Sequence, residues 1–333
     1  MKLKFWGNKP NQDDMASGIE AFSFGELRDT ADNLSEIISS LFRVWHNGKY
    51  YEMPFSPVKL YNAQYSSPYH LSALQLKMNL LCDLFEPNKH LSLPEFRRFA
   101  QNFLVMGNGY LEEIPSLKGT PIAFHSAPAM YVRRMDDKVY GQQDKTTREL
   151  HKFKLPLVHF MEDDLEQEYY GKPYYLAGLA AAFLNKSATK FRDLYYKNGN
   201  HAGFILYMND PAHKVSDVLA LKKAMKDSKG PGSFRNLFLY APKGKKDGVQ
   251  IIPVESAQAQ DKFLEIKNVS RDDQIAMHRS YPNLIAVQSQ NAAGFGNILE
   301  AREAFLLNEI IPITRLMAAA HEVLTFREFE VAA

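Results

Sequence analysis

Cysteine is almost absent from this chain, since Cys82 is the only one in 333 residues. A disulfide within one chain is therefore impossible, and a metal site built from several cysteines is excluded. The apolar run around Cys82 predicts a buried thiol rather than a reactive one. Nowhere do about 18 apolar residues follow one another, and the N-terminus lacks the apolar segment of a signal peptide. We expect a protein made in the cytoplasm that is soluble, or becomes soluble by assembling.

An excess of charge is missing as well. Forty Lys and Arg stand against 38 Asp and Glu, for a formal net charge of +2. Proteins that hold nucleic acid by neutralising its phosphates usually carry a basic face. The near balance therefore argues against tight, salt-driven DNA binding as the main task, although it allows loose or sliding contact.

Catalytic and nucleotide-binding motifs are also missing. His321 and Glu322 begin an HExxH pattern, but Thr325 stands where the second histidine would be. The glycine pairs lack the other residues of phosphate-binding loops, and no GxSxG occurs. No ligand spacing relates the histidines, and we expect surface or hydrogen-bonded roles for His46, His159 and His278. The sequence offers no case for catalysis or for a cofactor.

One acidic group could hold a divalent cation. Its members lie within seven positions of one another: Glu162, Asp163, Asp164, Glu166 and Glu168. A solvated loop ahead of Gly171 explains the same pattern more simply. The group therefore supports only an alternative hypothesis, a metal-dependent enzyme that processes nucleic acid.

The strongest helical period runs from Pro173 to Gly199. Apolar residues recur there at helical spacing, Pro173 suits a first turn, and Asn198-Gly199 marks an end. An α-helix over the whole stretch would be roughly 39 Å long. A rod of that length either crosses a large domain or lines a wall in an assembly.

The remaining patterns predict an α+β protein. We expect helices over about 67–85, from a Ser92–Glu95 capping box to residue 106, over 215–228, over 258–279, and from Ile298 onward with a bend at Pro312. Residues 110–160 predict a small antiparallel sheet packed on the preceding helices. Residues 200–255 predict a β-α-β-β unit whose last two strands are joined by a basic turn.

Several stretches, taken in order, resemble the portal proteins of tailed bacteriophages, and most of all the PBSX-type group of contractile-tailed phages. The resemblance covers about residues 18–325 and is most specific over 168–254. No single motif carries it. The ordered set does: SSPYHL, FRRFAQNFLVMGNGYLEE, SAPAMYVRR, EYYGKPYYLAGLAAAFLNKSATKFRDLYYKNGNHAGFILY, SKGPGSFRNLFLYAPKGKKDGVQIIPV and LLNEIIPITRLM.

The resemblance implies a portal-protein fold with an α/β wing, long stem helices, a small clip, and a channel loop followed by a long helix. Laid on this sequence, the parts are a flexible arm (1–19), the wing (20–172), stem helix 1 (173–199), the clip (200–255), stem helix 2 (256–280), the tunnel loop (281–297), the long helix (298–326) and a C-terminal tail (327–333). The crown of the family would be short or absent.

The resemblance also implies a ring of about twelve identical subunits at one capsid vertex, through which double-stranded DNA enters and leaves. Expected partners, besides the other copies and the passing DNA, are the terminase large subunit, the major capsid and scaffolding proteins, and the head-completion or neck proteins. No membrane, metal or cofactor is implied, and no enzymatic activity. The expected locations are the virion and, during assembly, the host cytoplasm.

Three sets of residues are candidates for contacts in such a ring. The uncharged channel-loop residues are Gln288, Ser289, Gln290 and Asn291, which can touch a phosphate backbone without strong electrostatic retention. Lys267 and Arg271 are candidates for charges that face the channel from stem helix 2. The clip turn carries Lys243, Lys245 and Lys246, which are either solvated or contact terminase or an adaptor.

Two other classes of function remain open at this stage. One is the metal-dependent enzyme built on the acidic group at 162–168. The other is a monomeric binding module, which a mass of one chain in concentrated solution would favour. The size of the particle separates both from a ring.

Overall fold

The computed structural model describes residues 20–23, 44–136, 138–197, 204–208, 237–240, 249–253, 259–285, 287 and 297–328. The chain divides into two compact units. The first comprises residues 1–30 and 187–265, and the second comprises residues 31–186 and 266–333. None of the helices that the structure describes combines the length and the apolar content needed to cross a membrane.

The described elements alternate between helices and strands. In chain order they are β1 (Glu20–Ser23), α1 (Pro57–Ala63), α2 (Pro68–Leu84), α3 (Leu93–Met106), β2 (Asn108–Pro115), β3 (Pro121–Ala127), β4 (Val132–Asp136), β5 (Val139–Gln143), β6 (Leu150–Lys152), β7 (Leu157–Met161), a 3-10 helix (Tyr174–Gly178), α4 (Leu179–Lys197), β8 (Phe204–Met208), β9 (Leu237–Tyr240), β10 (Val249–Pro253), α5 (Ala259–Met277), a second 3-10 helix (Pro282–Ile285), α6 (Ile298–Phe305), a π-helix (Leu306–Ile310) and α7 (Ile311–Ala320).

The first unit contains a four-stranded sheet in the order β1-β9-β8-β10. Strand β8 is parallel to β9 and antiparallel to β10, and β1 is antiparallel to β9. Residues 209–236 exceed the dozen or so that a parallel crossover needs. Pro253 lies on an edge strand, where its missing N–H costs no ladder bond. The fold of the first unit thus joins segments that are distant in sequence.

Two sequence expectations for this unit need correction. The last two strands of the predicted β-α-β-β unit, β9 and β10, are not a hairpin, because β8 lies between them. The boundary predicted at residue 20 also differs, because β1 pairs with β9 and so belongs to this sheet rather than to the wing segment. The predicted helix at 215–228 lies outside the described residues.

The second unit begins with helices that the sequence predicts well. Helix α2 starts with Pro68 in its first turn and ends at Leu84. Helix α3 ends at Gly107, whose φ of 68° is left-handed. A Cβ at Gly107 would lie 2.7 Å from the backbone nitrogen of Pro173, so a larger residue does not fit.

The capping box predicted at the start of α3 is wrong. The side chain of Ser92 makes no capping hydrogen bond. The carboxylate of Glu95 instead accepts a hydrogen bond from the backbone N–H of Ser126 at 2.9 Å and one from Arg98 at 2.5 Å. Pro94 lies in the first turn of α3, and Glu95 fastens the helix to strand β3 rather than to its own N-terminus.

The predicted antiparallel sheet is two three-stranded sheets, in the orders β3-β2-β7 and β4-β5-β6. Strand β2 pairs with β3 through Tyr110 and Ala127, and with β7 through Gly109 and Phe160. Helix α3 packs against both β2 and β3. The α+β class inferred from the sequence is confirmed.

An aromatic core holds this unit together. Phe96 stacks on Phe85 with ring centroids 3.9 Å apart, and Phe103 lies 4.7 Å from Phe160. All four side chains are buried. Burial of aromatic area of this size is the largest favourable contribution that a single side chain makes to folding.

The rod predicted from Pro173 is shorter than expected. Residues Tyr174–Gly178 form a 3-10 helix, with the Leu176 N–H donating to the Pro173 carbonyl at 3.1 Å, and the α-helix starts only at Leu179. At Gly178 a Cβ would lie 2.5 Å from the Cβ of Met277, so only glycine allows this approach to α5.

The final helix begins at Ile298, as the sequence predicts, and Asn297 caps it. It is interrupted by the π-helix, in which the Ile311 N–H bonds to the Leu306 carbonyl, and Pro312 follows at once. A proline removes a helical donor and crowds the preceding turn, which agrees with the predicted bend. The helix does not reach residue 326 but ends at Ala320, because the chain then extends so that Val323 and Leu324 are buried.

Candidate functional site

Most residues predicted for the channel and clip lie outside the described part of the chain. These are Gln288, Ser289, Gln290 and Asn291 of the channel loop, and Lys243, Lys245 and Lys246 of the clip turn. The roles predicted for these residues stay predictions.

Lys267 and Arg271 both lie on α5, as the sequence predicts. Lys267 is partly buried. Only 12% of the Arg271 side chain is exposed, and its guanidinium lies 2.9 Å from the carboxylate of Asp272. A direct neighbour therefore balances the charge of Arg271. Whether either cation faces a channel stays a prediction.

The helices α4 and α5 meet through buried polar side chains. The amide of Asn185 donates to the hydroxyl of Ser270 at 2.9 Å, and both residues are buried. Gln274, one turn along α5, donates to the Ser270 carbonyl at 2.7 Å. A buried polar pair of this kind costs free energy if it is mismatched, so it fixes how the two helices face each other.

Several large apolar side chains on the helices are exposed. On α4 and α5 they are Leu184, Ile266 and Val269, and on the interrupted C-terminal helix they are Ile298, Leu299, Leu307 and Leu316. Val269 is 56% exposed and Leu299 is 74% exposed. Single exposed apolar residues are common, but sets that recur along helices are typical of interaction surfaces.

A buried ion pair joins α2 to the π-helix, and Arg279 after the end of α5 contacts it. Lys77 of α2 and Glu309 of the π-helix approach to 2.5 Å, with 10% and 7% of their side chains exposed. Arg279, just after α5, contacts the other oxygen of Glu309 at 3.3 Å and lies 5.3 Å from the ring centre of Tyr174. Three segments distant in sequence are thus joined by one carboxylate.

Two buried histidines adjoin this ion pair. His70 and His278 share a hydrogen bond of 2.7 Å between Nδ1 and Nε2, and Tyr175 lies beside them. Burial lowers the pKa of His70 to about 4. The pKa of His278 also lies well below its usual value, because of burial and the nearby His70 and Lys77. Both imidazoles are therefore neutral at pH 7.

The expectation for the three histidines holds. His46 is exposed and its ring lies 3.3 Å from the Met135 carbonyl. His159 is half-buried, with its ring nitrogens 3.0 Å from Asn108 and 3.2 Å from Tyr140, and desolvation lowers its pKa to about 3.

The acidic group does not form a metal site in the described part of the chain, where no cluster has the geometry of metal ligands. Asp164 and Glu166 instead pair with Lys172 at 2.8 and 3.2 Å. Glu162 differs from a solvated loop residue. Burial raises its pKa to about 7, although a hydrogen bond with Tyr174 opposes the shift.

Sequence reasoning missed Lys77, Glu309 and His70, and it placed Glu162 in the acidic group without predicting its burial. A signal exists for two of them. Lys77 occupies the apolar face of α2 that Ala73 and Leu81 define, and Glu309 interrupts an apolar run. A charge at such a position is buried only with a partner, but the sequence does not say which partner.

Comparison with solved structures identifies the fold. The chain is similar to a chain of the virion of a native gene transfer agent particle (TM-score 0.57, 16% identity, 88% of this chain and 84% of the other). It is also similar to a chain of the native particle's neck, computed with C12 symmetry (TM-score 0.55, 15% identity, 88% and 87%). A third is an HK97 family phage portal protein from Corynebacterium diphtheriae (TM-score 0.53, 13% identity, 80% and 94%). The fold is that of the portal proteins.

The sequence matches no protein-family model. The curated proteins that it matches include two that are each named a probable portal protein. The one from Escherichia phage P2 is 38% identical over 301 residues, which are 90% of this chain and 87% of that protein. The one from Haemophilus phage HP1 (strain HP1c1) is 29% identical over 306 residues, 88% of each. The chain belongs to the family of phage portal proteins, the head–tail connectors of tailed phages.

Proposed function

We propose that about twelve copies of this chain form a ring at one capsid vertex and that the ring is the channel for packaging and ejecting double-stranded DNA. The observation that carries the proposal is the set of exposed apolar side chains on α4, α5 and the C-terminal helix, in a chain of the portal family. A neighbouring copy would cover these side chains. The C12 symmetry of one similar neck structure supports the ring size.

The ring acts as a conduit rather than as an enzyme. The chain carries a formal net charge of only +2, so the phosphate backbone can pass without strong electrostatic retention. The energy for packaging comes from a separate ATPase. The uncharged residues Gln288 to Asn291 contact the DNA from the tunnel loop, with Lys267 and Arg271 as charges on the stem.

The partners follow from the same position in the particle. The terminase large subunit docks first and is replaced by head-completion or neck proteins, and the basic residues Lys243, Lys245 and Lys246 are the proposed contacts. The capsid and scaffolding proteins surround the ring. The protein assembles in the host cytoplasm and ends in the virion.

Native mass spectrometry of the purified protein tests the ring. We expect a particle of about twelve times the 38.0 kDa chain, and negative-stain images of an annulus. A monomer at high concentration, under every condition tried, would contradict the proposal. The acidic group supplies a further check: metal-dependent cleavage of DNA that is lost on Asp164→Ala would favour the alternative enzyme.

The channel role has its own test. Deleting residues 288–296 should leave the rings intact, because these residues lie between the ends of the described helices. Retention of packaged DNA should fall. Rings that fail to form after the deletion would show that the segment is structural, and unchanged retention would show that it is not the channel loop.

A further inference from the structure

The backbone is irregular on both sides of the segment 281–297, two residues before it and in the helix that follows it. Arg279, two residues ahead of it, has a φ of 52°, which is unusual for a residue with a side chain. On the other side, the helix that starts at Ile298 contains the π-helix Leu306–Ile310. Short π-helices inside α-helices often mark functional sites. Strain of this kind persists only where the surrounding contacts hold it.

One carboxylate connects the two irregular sites. Glu309 belongs to the π-helix, and its oxygens contact Lys77 at 2.5 Å and Arg279 at 3.3 Å. Lys77 and Glu309 are buried, whereas 61% of the Arg279 side chain is exposed. The Lys77 contact thus fixes the carboxylate inside the unit, and the carboxylate in turn offers Arg279 an anchored partner.

Further contacts tie Arg279 to its surroundings. Its guanidinium lies over the ring of Tyr174, 5.3 Å from the centre, and Tyr174 in turn hydrogen-bonds to Glu162. The second 3-10 helix, Pro282–Ile285, follows directly and packs against α2 and α6. The side chain of Arg279 therefore lies among the end of α5, the first 3-10 helix and the π-helix.

We propose that Arg279 is a positioning residue: the bridge Lys77–Glu309–Arg279 acts as a clamp that sets the direction in which the chain leaves α5 and enters the turn at 282–285. The role of that turn as the base of a channel loop rests on the proposed function. The clamp itself rests only on the described contacts.

Hydrogen exchange of the Leu284 and Val287 amides measures the clamp, because these donors bond to Tyr281 at 3.1 Å and to Pro282 at 2.9 Å within the turn. In Arg279→Met the length is kept and the charge is lost, and we expect exchange about tenfold faster at both amides. Arg279→Lys keeps the charge and should restore most of the protection. DNA retention in assembled particles should fall in the Met variant only.

Arg327→Met is the matched control. Arg327 also makes a 3.3 Å ion pair, with Asp83, and 54% of its side chain is exposed. Unchanged exchange in Arg279→Met, an equal change in Arg327→Met, or no recovery in Arg279→Lys would each overturn the clamp. The exchange can be measured on unassembled protein too, so a missing ring would refute the proposed function and leave this test intact.

Discussion

The phenylalanines of α3, in the body of the molecule (residues 44–172), and three apolar side chains of the helices α4 and α5 differ in their exposure to solvent. In the body, Phe96, Phe99 and Phe103 are buried among residues of the same chain. On the helices, Leu184, Ile266 and Val269 are exposed. These phenylalanines belong to the closed core of the body, whereas these three helix side chains leave apolar surface that the described part of the chain does not cover. Under the proposed function, a neighbouring copy covers the surface on the helices, while the body folds through its own contacts.

The strongest test of this comparison puts charges on the helices. The double variant Leu184→Asp, Val269→Asp should abolish rings, because a carboxylate buried in an apolar interface carries a large desolvation cost. Native mass spectrometry should detect monomers with unchanged circular dichroism. Leu117→Asp, at a fully exposed leucine of the β2–β3 turn in the body, is the control and should assemble normally. If the double variant still forms rings, the exposed apolar side chains of α4 and α5 are not the assembly surface.

The opposite test removes packing from the body. Phe96→Ala deletes a fully buried ring stacked on Phe85, and we expect a loss of about 3–5 kcal/mol in the free energy of unfolding. Denaturant unfolding of dilute, unassembled protein measures it. Leu117→Ala should change that free energy by less than about 0.5 kcal/mol. A loss for Phe96→Ala that appears only in assembled rings would show that the body does not fold by itself.

The buried histidines His70 and His278 give the second unit a pH dependence. The pKa of His70 is lowered to about 4 in the folded chain. Between about pH 6.5 and pH 4, His70 is therefore protonated in the unfolded chain but not in the folded chain. The stability that this provides is complete above pH 6.5 and is lost as the pH falls towards 4. His70 alone accounts for about 2 kcal/mol of this loss between pH 7 and 4.5, so the double variant His70→Leu, His278→Leu should lose at least about 2 kcal/mol less than the wild type. Parallel losses in denaturant unfolding would contradict this.

Glu162 should show the opposite sign and a smaller effect. Its pKa is raised to about 7, so the folded chain holds a proton that the unfolded chain releases above about 4.5. Stability is therefore lost as the pH rises from 4.5 through 7. Glu162→Gln should gain about 2 kcal/mol over the wild type between pH 5 and 8. Glu168→Gln, at an exposed position in the same loop, should gain less. Equal pH profiles for wild type and Glu162→Gln would refute the assignment.

Local patterns explain which parts of the fold could be predicted. Pro68, Gly107 and Asn297 are residue types that favour helix ends, and in the structure each of them lies at the end of a helix. Long-range pairing is different. Nothing near residue 20 says that β1 pairs with β9, and the insertion of β8 between β9 and β10 depends on a crossover. Such contacts are decided by tertiary packing rather than by local propensity.

The same limit applies to the candidate site. The position of Lys77 on an apolar face predicts burial with some partner, but only the fold brings Glu309 to it across more than two hundred residues. The 3-10 start at Tyr174 was likewise unpredictable, because it depends on how Gly178 meets Met277. The sequence predicted a portal-like chain. The structure adds that Glu309 contacts the irregular backbone at Arg279 from the π-helix.

The most direct measurement uses the scarcity of cysteine. In a Cys82→Ser background, Val269→Cys places the single thiol on α5, and Leu117→Cys places it on the body. Val269→Cys should react with a soluble thiol reagent at least about tenfold more slowly in the ring than in the dilute monomer. Leu117→Cys should react equally in both. Equal rates for Val269→Cys would show that no neighbouring copy covers this surface, and would contradict assembly through these helices.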